Sequence, residues 1–117
     1  MANSDNKTPS SVHDLRSALE LLKTLPGEYV ETDTEVDPHA ELSGVYRYVG
    51  AGGTCQRPTR KNGPVMVFNK IKGFENISVA IGLNGSRQRV SHFLQCEPAK
   101  LGHLLKDSVE NAIAPVM

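Results

Sequence analysis

Four sets of residues have side chains of types that could do chemistry. Glu31, Asp33 and Glu35 recur at every second position, so an extended backbone would line three carboxylates along one face. Such a row could serve acid–base or metal chemistry, but it lacks the apolar surroundings that raise a carboxyl pKa. A solvated edge is the commoner outcome. Asn84-Gly85-Ser86-Arg87 stands where a strand feeds a helix, with Arg89 two residues further on. Amides at a helix N-terminus attract anions, and Arg87 or Arg89 could add a charge-assisted bond. The pattern is only G-x-x-G-S-R, and a turn in which Ser86 caps the helix is the plainer reading. His13, His39, His92 and His103 show no H-x-x-x-H spacing, and Cys55 and Cys96 no CxxC. The two cysteines read as reduced thiols of a cytoplasmic protein.

A fifth feature is the distribution of charge. Glu28, Glu31, Asp33, Glu35, Asp37 and Glu41 form a stretch free of Lys and Arg; Arg57, Arg60, Lys61, Lys70 and Lys72 form one free of acids. They read as solvated surfaces that complement each other within the fold, or as an interface with another domain or subunit. The basic loop Cys55–Asn62 and the glycines before it lack a phosphate-loop pattern. Thirteen basic and thirteen acidic residues give no net charge, so nothing draws the whole chain to nucleic acid or membrane. Aromatic residues are not interleaved with basic ones, and no apolar run spans a bilayer.

The elements that must position these groups centre on Gly63–Leu94. Val65-Met66-Val67-Phe68 is apolar on both faces and suits a buried strand. Ile77, Val79, Ile81 and Leu83 alternate with Ser78, Ala80 and Gly82, which predicts a second strand whose small face admits close packing. Ser86 then caps a helix with Val90, Phe93 and Leu94 as its apolar stripe.

Around this unit, Ser11 or Asp14 caps a helix striped by Leu15, Ala18, Leu19, Leu22 and Leu25 and stopped by Pro26-Gly27. Tyr29–Val36 alternates as a half-exposed strand, with the acidic row in water. Asp37 as N-cap and Pro38 as first residue open a helix striped by Leu42, Val45, Tyr46 and Val49, which Gly50-Ala51-Gly52-Gly53 ends. Pro98 opens a last helix with Leu101, Leu104, Leu105 and Val109 on one face, ending near Asn111. The expectation is one small α/β domain over 14–117, a mixed sheet of about three or more strands flanked by about four helices. Residues 1–13 read as a disordered polar tail without the apolar core of a secretory signal.

The residues alone do not reach a reaction, but their order resembles a known family. DLRSALELL, ETDTEVDPHAELSGVYRYVGAGGT, QRPT, GPVMVFNKIKGF and GLNGSRQRV together look like the beginning of a UbiD-type decarboxylase. The nearest likeness is to the non-oxidative hydroxyarylic acid decarboxylases that act on gallate or protocatechuate, and it runs from Asp14 to about Pro115. The resemblance implies a longer polypeptide: an N-terminal α/β domain, a domain binding prenylated FMN with a divalent metal (Mn or Mg) and potassium, and a C-terminal oligomerisation domain. It implies that the catalytic Glu and Arg, the metal ligands and the flavin contacts lie beyond this chain, so catalytic, cofactor and metal residues here are none. Asn84, Gly85, Ser86 and Arg87 remain the weak anion-site candidates. The chain would then be a truncated or split portion, inactive alone, partnered by the remainder of the decarboxylase or a homologous subunit, and homo-oligomeric at full length. The rival expectation is a stand-alone interaction or regulatory domain that pairs with a decarboxylase subunit. A small anion-binding domain is the third.

Overall fold

The computed structural model describes residues 12–117. Most of the predicted tail, and Ser11 as a possible cap, lie outside the described residues. Asp14 is the N-cap of the first helix, α1 (Leu15–Lys23): its Oδ1 accepts the Ser17 N–H at 2.8 Å, and Ser17 Oγ accepts the Asp14 N–H at 3.1 Å. This reciprocal pair satisfies two amides that the first turn would otherwise leave open. Ala18 and Leu22 carry the buried stripe. Gly27, at φ 77°, turns the chain into β1 (Tyr29–Thr32).

The central strand is β2 (Val65–Phe68), buried at all four positions as its two-faced apolar sequence predicts. β1 lies parallel to it, Tyr29 opposite Val65 and Thr32 opposite Phe68. β3 (Val79–Ile81) lies antiparallel on the other side, so the sheet is mixed, in the order β1-β2-β3. The parallel pair needs a crossover, and α2 (Glu41–Gly50) supplies it. Leu42 of α2 packs with Val36, Met66, Phe68 and Ile71, and Val45, Tyr46, Val49, Val79 and Ile81 close around them. Two glycines make that crossover tight. A Cβ on Gly63 would lie 2.5 Å from Gly50 Cα, and one on Gly82, at φ +93°, would lie 2.6 Å from the Tyr46 hydroxyl oxygen. The expected second strand is shorter, Val79–Ile81, and of its small positions it is Gly82, just past the strand, that lies against the ring of Tyr46.

The last elements are α3 (Arg87–Leu94), a short 3-10 turn at Pro98–Lys100, and α4 (Leu101–Glu110). The α/β class, the mixed three-stranded sheet and the four helices agree with the expectation.

Three local expectations are corrected. The first strand stops at Thr32 rather than Val36; beyond it backbone pairing resumes at Val36, in a parallel bridge to Ile71. Val30 is exposed and Val36 buried, so the apolar positions do not share one buried face. Asp37 does not cap α2. Its carboxylate accepts the His39 N–H at 2.8 Å, closing an Asx turn, while Glu41 accepts the Asp37 N–H at 2.7 Å. The helix starts only after Ala40, which sits at φ 78°. In α3 the buried residues are Arg89 and Ser91 rather than the apolar stripe, whose Leu94 is exposed.

Candidate functional site

The strand-to-helix turn folds as its sequence asks. Ser86 is buried, and its hydroxyl accepts the Arg89 N–H at 3.0 Å, capping α3. Asn84 and Gly85 are exposed, and Gly85 N–H donates to the Gly82 carbonyl at 3.0 Å. Arg87 is exposed and reaches the carbonyl of Pro98 at 3.4 Å.

Arg89 is not available to a ligand at this turn. Only 1% of it is exposed, and its guanidinium is spent inside the fold. Nε donates to Glu28 Oε2 at 2.7 Å, Nη1 to the Gly82 carbonyl at 2.6 Å, and Nη2 to the Gly63 carbonyl. A buried guanidinium is tolerated when every face of its donor fork is used. The fork ties together the entry to β1, the entry to β2, the exit from β3 and the start of α3. Sequence reasoning offered Arg89 to an anion and placed Glu28 in the acidic stretch of the surface; both belong to this clamp. The available signal was position, since Arg89 lies next to Val90 and four residues before Phe93, within reach of the buried side of a short helix.

The acidic row is more organised than a solvated edge requires. Asn69, at the end of β2, donates from Nδ2 to Glu31 Oε2 at 2.7 Å and to Asp33 Oδ1 at 2.9 Å, and accepts from Ser78 Oγ at 2.9 Å. The Tyr29 hydroxyl donates to the other oxygen of Glu31. Partial burial, with the Glu31 carboxylate beside it, pushes the Tyr29 hydroxyl up to about 12. The Tyr29 and Asn69 donors hold the Glu31 carboxyl below its usual range. Glu35 takes no part in these bonds. The missed residue is Asn69, which the sequence gives no reason to pair with residues 36 and 38 positions earlier.

A groove of about 470 Å³ opens between the end of α2 and the loop before β2. Tyr46, Arg47, Cys55, Arg60 and Lys61 are among the residues that line it, with Gly50 and Gly63. The acidic and basic stretches meet through one exposed ion pair, Lys72 Nζ to Asp37 Oδ2 at 3.6 Å. Cys55 is exposed and Cys96 half-buried, both as free thiols. Among the described residues no three His, Cys, Asp or Glu side chains come together as a metal-binding group. No helix among them is long and apolar enough to cross a membrane.

This parallel–antiparallel sheet, crossed by one helix and locked by a buried arginine, is a small α/β scaffold. Residues 19–108 match the family of the 3-octaprenyl-4-hydroxybenzoate carboxy-lyase N-terminal domain, and the chain belongs to that UbiD family. It is 53% identical over 102 residues to a gallate decarboxylase of Lactiplantibacillus plantarum, a match covering 87% of this chain and 21% of that protein. Among solved structures it is similar to apo 3,4-dihydroxybenzoic acid decarboxylases. With that of Klebsiella pneumoniae the TM-score is 0.78 at 47% identity, covering 89% of this chain and 21% of the other. With that of Enterobacter cloacae it is 0.78 at 50% identity, covering 91% and 22%. The chain thus spans about a fifth of the length of these relatives.

Proposed function

We propose that this chain is the N-terminal portion of a decarboxylase of phenolic acids, converting gallate or protocatechuate to pyrogallol or catechol with loss of CO2. The observation that carries the reading is 53% identity across 87% of the chain to a gallate decarboxylase, joined to a match with the family's N-terminal domain. Its contribution within the enzyme is structural. It presents a rigid sheet and helix faces against which a cofactor domain packs, and it contributes no reacting group. We propose prenylated FMN, with a divalent metal and potassium, as the cofactor of the whole enzyme. The described residues do not fit that group: no metal-ligand cluster forms among them, and the cations of the Arg47–Arg60–Lys61 groove are all exposed. The free thiols suit a cytoplasmic site, and assembly with the remainder of the enzyme, or with a homologous subunit, suits a domain of this size.

The test is turnover. Purified chain supplied with prenylated FMN, Mn2+ and K+ releases neither catechol nor pyrogallol from its acid, as read by liquid chromatography. The same chain co-expressed with a polypeptide corresponding to the rest of the gallate decarboxylase restores turnover. Product formation by the chain alone overturns the first part, and failure of the pair to turn over either acid overturns the second.

A further inference from the structure

α4 is amphipathic. Leu101, Leu104, Leu105 and Val109 fall on one side of it at helical spacing. The other sides carry polar groups already satisfied on the helix: Lys106 pairs with Glu110 at 2.6 Å, and Asn111 donates to Asp107 at 2.8 Å. Yet α4 buries no residue. Leu105 is 52% exposed and Val109 80%. The apolar line continues into the segment beyond the helix, where Ile113, Val116 and Met117 are all exposed. Of the eleven large apolar side chains exposed among the described residues, five lie in this last seventh of the chain. Leu101 and Leu104 are half-buried, so the exposure gathers at Leu105, Val109 and the segment after them, and such a concentration of exposed apolar side chains marks a surface made to be covered.

We infer that the α4 face is the docking surface for the decarboxylase region that the relatives carry after this domain. The inference rests on the proposed function and adds the place of contact. The occupant follows from length and position. The matched family is an N-terminal domain whose match runs to residue 108, inside α4, and about four-fifths of the gallate decarboxylase lies outside the aligned region. The exposed face therefore sits at the boundary where the larger part of the enzyme continues. Its partner surface must be apolar, because Leu105 and Val109 offer no hydrogen bond to fix a polar one.

The experiment co-expresses the tagged chain with the remaining gallate decarboxylase polypeptide and measures retention of that polypeptide together with gallate turnover. The wild-type chain and a Lys106→Ala/Glu110→Ala control on the water-facing side retain it. A Leu105→Asp/Val109→Asp variant retains about tenfold less or worse. Circular dichroism melting of the isolated variant stays at the wild-type temperature, because both side chains are exposed in the chain alone. Equal retention by the α4 variant overturns the docking surface and leaves the decarboxylase reading standing. Loss of both retention and turnover with the wild-type chain removes that reading as well. If sedimentation shows the chain dimerising through α4 and leaving the larger polypeptide free, the occupant is a second copy and the inference fails.

Discussion

Arg89 places a positive charge inside the fold, and three acceptors from three separate segments, two of them distant in sequence, meet it there. Replacing it by methionine keeps much of the volume but strands two carbonyls and leaves the half-covered Glu28 carboxylate without its partner. Arg89→Met is expected to cost about 3 kcal/mol or more, read as a lowered urea midpoint, and Arg89→Lys to restore only part of that, because an ammonium cannot span the fork. Tyr29 makes a second, pH-dependent contribution. Its folded pKa of about 12 stands above the ordinary 10.0, so the stabilisation is fully present below pH 10 and is lost as pH rises toward 12. The Glu31 contribution has the opposite sense: its folded pKa lies below 4.5, so it is present above that pH and lost in acid. Melting temperatures at pH 8 and pH 11 should diverge more for wild type than for Tyr29→Phe. An equal alkaline drop in the two proteins contradicts the assignment.

At the level of elements, β2 and α4 are the extremes. β2 is a central strand buried at every position, bonded on both sides and bounded by the Gly63–Gly50 backbone contact. α4 is ten residues long, buries none of them, and has no side-chain cap at its start. A helix of that length is marginal in water without packing to hold it. Native-state hydrogen exchange should therefore show the slowest amides at Val65–Phe68 and nearly unprotected amides across Leu101–Glu110 in the isolated chain. Strong protection in α4 would mean that it packs on this domain itself. The sequence exposes the same contrast unevenly. β2, α1, the Ser86 cap and the amphipathic line of α4 were legible, because each rests on local periodicity or a neighbouring cap. The late start of α2 was hidden, because Asp37 spends its carboxylate on a turn that competes with capping. The early end of β1 was hidden too, because alternation marks a strand's faces but not where its neighbour stops.

For the molecule as a whole, the features that composition could not reveal are the long-range ones. Glu28 and Arg89 are 61 residues apart, and Asn69 reaches back 38 to Glu31. Neither pairing leaves a local pattern, whereas the family motifs, spread along the chain, identify the domain without showing how these residues meet. The same separation bears on how the chain matures during synthesis. β1 is made early, but its place beside β2 is sealed by an arginine that emerges only with α3, 61 residues after Glu28. Until then Glu28 has no counter-ion, and the parallel pair must bear its loop-closure cost without the tie. The sheet is thus closed from α3, shortly before the α4 face appears. A growing chain would reach its docking surface with the scaffold behind it already locked.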